Sequence, residues 1–392
     1  MRLELSEDEV AFRQEMREFF TTKVPESIRD TVKGRHELTK EQIVESQKIL
    51  NDAGLAVPGW PEEWGGRNWS NLQKHIWYQE MDRAGVPHPL AFNASMVGPV
   101  IAAFGSQELK ERFLPKTASL DIWWSQGFSE PDAGSDLASL RTTAVRDGDD
   151  FIVNGQKTWT TLGQHGDWIF NLVRTDPDAK KQQGISFLLI DMKSEGVEVR
   201  PIELIDGGHE VNEVWFSDVR VPAENLVGEL NKGWDYAKFL LGNERAGVAP
   251  VGQVKRTLSS AKEWAKTADR GGSLLDDPLV AAQVVELENE LLALELTALR
   301  VVANSADGKP HPASSVLKLK GTELQQAVSE LVVDLAGPAS LASGSNVNGT
   351  ESALEDWTAQ ATQVYLNHRK ASIYGGSNEI QRQIIAKTIL GL

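Results

Sequence analysis

The sequence predicts an α+β chain of three successive parts: a helical N-terminal part, a small all-β middle part and a helical C-terminal part. Two changes of periodicity support this order. Apolar residues recur at helical spacing at first, give way to short alternating runs divided by turn residues, and then return to helical spacing. We therefore expect domains at 1–120, 121–228 and 229–392.

The N-terminal part begins with a helix-start signal. The acidic stretch 6–9 precedes four apolar residues that share one helical face, which are Phe12, Met16, Phe19 and Phe20. The stretch "AVPGWPEEWGGRNWS" then interrupts the pattern with prolines and glycines, which predicts a tryptophan-rich loop. Helical spacing returns in "HIWYQEMDRAG" and "SQELKERFLPKTA", so the remainder of this part is expected to be helical.

The middle part consists of short runs typical of β-strands. Asp147 and Gly148 lie between two such runs and predict a hairpin. "GISFLLIDM" is apolar enough for a buried strand, and "VNEVWFSDVRVP" reads as a strand closed by a proline. Together these runs predict a small all-β unit, either a sandwich or a barrel.

The C-terminal part is expected to be a helical bundle. Within "VVELENELLALELTALRVV", the residues Leu287, Leu291, Leu294 and Ala298 fall on one face, as in a bundle helix. The stretch 337–352 has a weak pattern and predicts a loop.

The composition excludes several classes of function. A net charge of −16 argues against binding to nucleic acid or to an anionic membrane, because both require clustered Lys and Arg. The chain has no cysteine and its seven histidines do not fall at metal-ligand spacing, so disulfides, thiolate catalysis and a metal site are not expected. No segment has the apolar run of a signal peptide or a membrane span, which predicts a soluble cytoplasmic protein.

Two segments of the middle part hold candidate ligand-binding residues. "GFSEPDAGSD", residues 127–136, would allow a close approach of the backbone to a ligand, but it would serve equally as an ordinary turn. Trp159 is flanked by Thr158, Thr160 and Thr161 near the end of the hairpin, which would suit a flat heterocycle. A strand tryptophan that covers a sheet edge is the alternative.

The segment "GWDYAKFLLGNERAGVAPVG" holds a candidate general base. Helical phase places Glu244 on one face with Ala237, Leu241 and Val248. A glutamate on an apolar stripe is either a base with a raised pKa or one partner of a buried salt bridge. The adjacent Arg245 does not suit that bridge, because neighbouring helical residues point apart.

The last candidate segment, "YGGSNEIQRQ", enters a helix after two glycines. Ser377 or Asn378 would cap this helix, and Gln381 follows Asn378 by three residues. Such a start leaves backbone N–H groups free to hold an anion or to polarise a carbonyl. The same pattern more often marks an ordinary capped helix.

Five segments, taken in order, resemble motifs of the acyl-CoA dehydrogenase family across essentially the whole chain: "FSEPDAGSD", "KTWTT", "FSDVRVPAENLVGE", "GNERAGVA" and "YGGSNEIQR". The resemblance implies an N-terminal helical domain, a middle β-barrel and a C-terminal four-helix bundle, with FAD between barrel and bundle. It also implies oxidation of an acyl-CoA to its trans-2-enoyl thioester, with an electron-transferring flavoprotein as the electron acceptor.

The same resemblance assigns residues to the site. Trp159 would lie against the isoalloxazine ring and Thr161 near flavin N5. The cofactor-binding positions that it implies are Gln126, Phe128, Ser129, Gly134, Ser135, Trp159, Thr160, Thr161, Ser377 and Glu379. The substrate-binding positions that it implies are Ser135, Arg245, Tyr374 and Gly375.

The resemblance also indicates a catalytic base. In most members of the family a glutamate follows the tyrosine, at the position of Gly375. In a minority, similar to long-chain and isovaleryl-CoA dehydrogenases, the carboxylate comes from the bundle helix, at the position of Glu244. We therefore expect Glu244 to remove the α-proton, with the Gly375 N–H available to the thioester oxygen where enolate charge develops.

The chain departs from the homotetrameric members at two places. They carry Arg-x-x-Phe-Gly and Gln-x-x-Gly-Gly stretches that reach a neighbouring subunit's FAD, whereas this chain reads "DRGGSLLDDPLV" and "VDLAGPASLAS", with Arg270 the candidate remnant of the first. This pattern resembles the α subunits of heteromeric members that act on steroid side-chain or pimeloyl thioesters. It implies a homologous second subunit in an α2β2 assembly, with FAD at half of the sites. The alternatives are a non-catalytic subunit of such a complex and an oxygen-using flavoenzyme of the same fold.

Overall fold

The computed structural model of the chain describes residues 5–34, 36–244, 250–267, 272–304, 311–341 and 356–392. Its N-terminal domain is helical, as predicted. The helices are α1 Glu7–Thr22, α2 Glu26–Lys33, α3 Lys40–Asp52, α4 Asn71–Ala84, α5 Gly98–Phe104 and α6 Gln107–Ala118. The tryptophan-rich stretch before α4 is irregular apart from a 3-10 turn at Glu62–Trp64, which agrees with the predicted loop.

The first helix begins where the sequence predicts it. Ser6 is the N-cap, and its hydroxyl accepts a hydrogen bond from the N–H of Glu9 while the Glu9 carboxylate accepts one from the N–H of Ser6. Met16 and Phe20 are buried in the core beneath this helix. The cap and the apolar stripe therefore define the same helix from two independent signals.

The middle domain is one seven-stranded sheet. Its strands are β1 Trp124–Gly127, β2 Thr143–Asp147, β3 Asp150–Thr161, β4 Trp168–Arg174, β5 Ile185–Asp191, β6 Val197–Ile202 and β7 Val211–Pro222. The predicted hairpin is present, with Asp147 paired to Asp150 and Gly148 in the left-handed region at φ 59°. The two predicted strands are β5 and β7.

The sheet curls into a half-barrel. β4 pairs with β5 on one side and with β1 and the end of β2 on the other, and the path then continues through β3 and β7 to β6. β6 alternates between half-buried and exposed residues, as expected of an edge strand that borders solvent. The strands predicted from sequence are thus correct, and the predicted barrel domain is a sheet curled into a half-barrel.

The two faces of β4 belong to different cores. Ile169 and Val173 point into the half-barrel, whereas Phe170 and Leu172 pack against the N-terminal helices. Because strand residues alternate between faces, one strand joins both domains.

The C-terminal part contains six helices within the described residues: α7 Gly233–Glu244, α8 Val251–Thr267, α9 Pro278–Asn304, α10 Ser314–Ala336, α11 Asp356–His368 and α12 Asn378–Ile385. Helices α8 to α11 share one apolar core, which includes the predicted stripe of α9, and they form the four-helix bundle. α12 packs on α10. In the stretch 337–352, the structure describes a 3-10 turn at Gly337–Leu341, and residues 342–352 lie outside the described residues.

Helix α7 packs on the middle domain. Ala237 and Leu240 are buried in the core that joins the N-terminal helices to β4 and β5. Leu241 is half-buried, so the predicted apolar stripe of this helix is present up to Leu241. α7 therefore leads from the half-barrel to the bundle and belongs to the packing of the former.

The bundle is joined to the N-terminal domain by polar contacts of α4. A guanidinium nitrogen of Arg256 donates to the main-chain oxygen of Asp82 at 2.6 Å and lies 3.3 Å from its carboxylate. The Gln79 amide donates to Glu295 at 3.3 Å.

Among the helices that the structure describes, none is long and apolar enough to cross a membrane.

Candidate active site

Trp159 lies in a β-bulge near the end of β3. Lys157 pairs with Val214 and Thr160 with Asn212, so β3 has one residue more than β7 between these pairs. Trp159 has φ 59°, in a region that non-glycine residues rarely occupy, and 59% of its surface is exposed. The bulge thus presents a large aromatic side chain to solvent at a cost in backbone strain, a combination typical of functional sites.

The two threonines that follow Trp159 differ in burial. Thr161 is half-buried, whereas Thr160 is 1% exposed. The Thr160 hydroxyl has no hydrogen-bond partner among the residues that the structure describes. A buried hydroxyl without a partner costs about 1–3 kcal/mol, so this oxygen is available to a ligand group.

The end of β1 and the loop after it carry the second group of predicted residues. Gln126 and Ser129 are half-buried, and Gly134 and Ser135 are exposed. Phe128 differs from the others, because its side chain packs edge-on against Phe170 and Phe187 in the core. Because the Phe128 side chain is buried in the core, only the main chain of this residue could contact a cofactor.

A buried ion pair joins this loop to β3. The Lys157 ammonium lies 2.8 Å from a Glu130 carboxylate oxygen and also donates to the main-chain oxygen of Phe128 at 3.2 Å. The Thr158 N–H donates to the Ser129 oxygen at 2.9 Å. The strand that carries Trp159 and the loop that carries Ser129 are thus in direct contact.

The pKa values of both groups in this pair are shifted from their ordinary values. Burial lowers the pKa of Lys157 to about 8, although the attraction of Glu130 opposes this shift. Burial would raise the pKa of Glu130, but the charge of Lys157 and the hydrogen bonds that the carboxylate accepts reverse the sign and lower it. At neutral pH both groups are charged.

The third segment precedes α12 and is open. Ile373 and Tyr374 are 68% and 54% exposed, and Gly375 and Gly376 have φ of 63° and 82°. A Cβ placed on Gly375 would meet no atom of the described residues within 4 Å. This turn therefore has left-handed backbone that favours glycine, together with free space beside it.

The start of α12 has one of the two predicted caps, Ser377, and the alternative in which Asn378 caps the helix with Gln381 three residues later does not form. Ser377 is the N-cap, Glu379 lies exposed in the first turn, and Asn378 is buried and accepts hydrogen bonds from Lys318. The side-chain amide of Gln381 turns back to the main-chain oxygen of Gly376 at 3.2 Å. The glutamine thus stabilises the glycine turn itself.

The loop 203–210 links β3 to the bundle. The main-chain oxygen of Glu210 accepts a hydrogen bond from the Leu162 N–H at 2.7 Å, and the Glu210 carboxylate is paired with Lys370. Asn367 donates to Asp206 at 2.7 Å. The loop therefore ties the strand end that carries Trp159 to the helical turn that leads into Tyr374.

The proposed base and one substrate position are not placed. Glu244 is the last residue of α7, and its side chain lies outside the described residues. Arg245, Val248 and Arg270 also lie outside them.

The described residues hold no group of three His, Cys, Asp or Glu that could bind a metal.

Comparison with known proteins identifies the class. Three family models match in order: the acyl-CoA dehydrogenase N-terminal domain over 6–121, the middle domain over 125–219 and the C-terminal domain over 231–390. The chain is 38% identical over 361 residues to acyl-CoA dehydrogenase IpdE1 of Mycobacterium tuberculosis, covering 91% of this chain and 89% of that protein. The chain belongs to the acyl-CoA dehydrogenase family.

Solved structures of two complexes are similar to this chain. A chain of the ChsE4-ChsE5 complex from Mycobacterium tuberculosis has a TM-score of 0.85 and 34% identity, covering 100% of this chain and 99% of the other. A chain of the Tcur3481-Tcur3483 steroid ACAD has a TM-score of 0.86 and 31% identity, with the same coverage. The predicted fold class is therefore confirmed.

The chain is thus a flavin-dependent acyl-CoA dehydrogenase, and its cofactor is FAD. The described residues fit this group. They offer an exposed indole at Trp159, an unpartnered buried hydroxyl at Thr160 and a glycine turn with open space at Gly375. These three features would suit a flat ring, its polar edge and a polar chain, respectively.

The polar residues that hold the site together are not marked by any motif in the sequence. Lys157 lies inside the quoted "KTWTT" and Glu130 inside "FSEPDAGSD", yet no local pattern indicates that they pair. The contact of Glu210 with Lys370 joins residues 160 positions apart. The strand itself gives no signal for Lys157, because it contains further polar residues at Asp150, Asn154 and Gln156.

Proposed function

We propose that this enzyme dehydrogenates a bulky acyl-CoA, such as a steroid side-chain or dicarboxylyl thioester, at Cα–Cβ, with Glu244 as the base. The observation that carries the proposal is the turn at Gly375. Most family members have their carboxylate at this position, by the resemblance given above, and here there is a left-handed glycine beside open space. A relocated base at Glu244, the end of α7, accounts for a family member without that carboxylate.

The chain's own residues then have three tasks. Bound FAD supplies the acceptor for the β-hydride. Glu244 takes the α-proton, and the Gly375 N–H donates to the thioester oxygen, which lowers the cost of the enolate charge. Ser135 and Tyr374, with Arg245, line the acyl-CoA in this proposal, and the electrons leave to an electron-transferring flavoprotein in the cytoplasm.

The open glycine turn supports a bulky substrate. A side chain at position 375 would occupy the space that Gly375 leaves free, so its absence enlarges the site. The names of similar structures point the same way, since one is a steroid ACAD. Steroid catabolism, as one branch of lipid metabolism, is therefore the proposed setting.

A second, homologous subunit is the proposed partner. The two similar structures are both complexes of two named proteins. In this chain α9 exposes Val285, Leu292 and Leu296, at 53%, 54% and 39%. Apolar residues exposed along one helix are typical of a subunit contact. We propose an α2β2 heterotetramer with FAD at half of the expected sites.

The reaction is tested by flavin bleaching. Straight, branched, dicarboxylyl and steroid acyl-CoAs are added anaerobically to the FAD-loaded protein, and absorbance is followed in the flavin band. We expect the steroid thioester to bleach the wild type and Glu244→Gln to lose bleaching while it retains FAD. Bleaching that survives this isosteric change removes Glu244 from the mechanism.

The partner is tested by co-expression with a homologous subunit. We expect the chain alone to hold little FAD and the co-purified assembly to hold one FAD for every two subunits. A homotetramer of this chain with one FAD per subunit would contradict the proposal. A loaded assembly that no thioester bleaches, even after variation of the acyl group, would identify a non-catalytic subunit.

A further inference from the structure

Lys157 is the centre of a buried polar cluster that the reaction does not use. Its side chain is 0% exposed, a rare state for lysine. The ammonium donates to Glu130 at 2.8 Å, to the Leu172 main-chain oxygen at 2.8 Å and to the Phe128 main-chain oxygen at 3.2 Å. An ammonium has three protons, so each has an acceptor.

Glu130 extends the cluster to a further chain segment. One carboxylate oxygen accepts from Lys157 and from the Thr142 N–H at 2.9 Å, and the other accepts from the Arg141 N–H at 2.6 Å. Arg174 is the other charged group that acts on Lys157, and it lowers the pKa of the lysine. The pair thus connects the loop after β1, the start of β2, the middle of β3 and β4.

Stability alone does not account for this pair. A buried ion pair is often no more stabilising than well-packed apolar residues of the same volume, because both charges lose their hydration. Apolar residues could not replace the directional hydrogen bonds that the Lys157 ammonium donates to the Phe128 and Leu172 carbonyls. The Phe128 carbonyl lies next to Ser129, and Lys157 is two residues before Trp159.

We propose that Lys157, paired with Glu130, is a positioning residue for the flavin: it fixes the 128–130 loop against the bulge at Trp159, so that both approach the ring in one geometry. The Thr158 N–H bond to the Ser129 oxygen at 2.9 Å is the contact that this hold preserves. The inference rests on the FAD assignment, and it adds a role for two residues that contact no substrate.

The test uses the full-length protein, together with its partner subunit if that assembly is the one that binds FAD. The variants are Lys157→Met and the double variant Lys157→Met/Glu130→Gln, which leaves no unpaired charge. The control is Lys48→Met, because Lys48 forms a 2.9 Å pair with Asp121 in which both side chains are 49% exposed. Exposed pairs of this kind contribute little.

Four readouts separate positioning from folding. Thermal unfolding reports stability, flavin fluorescence reports the Kd for FAD, and visible circular dichroism reports the surroundings of the ring. Hydrogen exchange of peptides spanning 127–131 and 157–161 is measured without FAD. We expect the double variant to regain much of the stability that Lys157→Met loses, but to keep an FAD Kd raised about tenfold or more, with faster exchange in both peptides.

The outcomes are distinct. Wild-type Kd and unchanged exchange in the double variant would overturn the positioning role. If Lys157→Met fails to fold, the double variant alone decides. If the wild type binds no FAD, the cofactor assignment fails, and hydrogen exchange still tests the hold between loop and bulge. Lys48→Met is expected to stay within about twofold of wild type in every readout.

Discussion

Replacing Trp159 by alanine and by glycine separates backbone strain from side-chain contact. In an ordinary strand, glycine is less stable than alanine by about 0.5–1 kcal/mol because it loses more backbone freedom on folding. At φ 59°, however, any residue with a Cβ has a penalty of about 1–2 kcal/mol that glycine avoids. The order of the two variants should therefore reverse, with Trp159→Gly about 0.5–1 kcal/mol more stable than Trp159→Ala.

Both variants also lose the contacts of the indole. A fully buried tryptophan removes about 150–250 Å² from water. Since 59% of Trp159 is exposed, about 60–100 Å² is lost, which costs about 1.5–2.5 kcal/mol at about 25 cal/mol per Å². For Trp159→Gly, the net gain of about 0.5–1 kcal/mol from relief of strain offsets part of this cost, so the free energy of unfolding should fall by about 0.5–2 kcal/mol relative to the wild type.

The control is Val145, another exposed strand residue at 63% exposure that lacks a positive φ. There Val145→Gly should be less stable than Val145→Ala by the ordinary amount. Urea unfolding of the apoprotein, followed by circular dichroism, gives all four values. If the glycine variant is the less stable one at position 159 as well, the bulge does not store strain. Both Trp159 variants should also bind FAD more weakly than the wild type, because the family resemblance implies that the exposed indole lies against the isoalloxazine ring.

Three other predictions follow from contacts in the structure. A Cβ on Gly127 would lie 1.7 Å from the Asn171 side-chain amide oxygen, so Gly127→Ala should destabilise the protein by about 1–3 kcal/mol. Adding Asn171→Ala should restore part of this stability in urea unfolding, and the absence of any rescue would contradict the clash. As pH rises through about 8, the Lys157 ammonium loses its proton and one of its three hydrogen bonds, so the FAD Kd of the wild type should rise above that pH, while a flat profile would rule this out. Burial would raise the pKa of Asp82, but His88 and Arg256 lower it overall. The ionised Asp82 carboxylate should therefore stabilise the fold at neutral pH, and this stabilisation should fade as pH falls below about 4. Asp82→Asn should lower the free energy of unfolding by about 1–3 kcal/mol at pH 7 but by little at acid pH.

Local signals in the sequence predicted the elements well. The helix start at residues 6–9, the hairpin at Gly148 and the strand that ends at Pro222 each depend on a few adjacent residues, and each forms as predicted. The paired glycines before α12 were also evident in the sequence, and both have left-handed backbone in the structure. Such features are determined by backbone sterics and nearby hydrogen bonds, which a short stretch contains in full.

Features that depend on distant residues were not predictable in the same way. The half-barrel results from how β4 pairs on both sides, and Phe128 belongs to the core because of where Phe170 and Phe187 lie. The cap of α12 differs from the predicted box because Asn378 is drawn into a buried contact with Lys318. In each case a tertiary contact overrides a local preference, and no local pattern contains that contact.

The site is built from both local and distant contacts. Trp159 and Gly375 both have left-handed backbone, and a residue nearby in sequence makes a polar contact beside each of them: Lys157 donates to the Phe128 main-chain oxygen, and Gln381 donates to the Gly376 main-chain oxygen. The loop that ends at Glu210 then connects the two halves. Segments held by such contacts keep one geometry before a ligand arrives, and binding then requires less ordering. Substitutions that remove these contacts, at Lys157 or Gln381, should therefore weaken cofactor binding, even though neither side chain is assigned a contact with the cofactor.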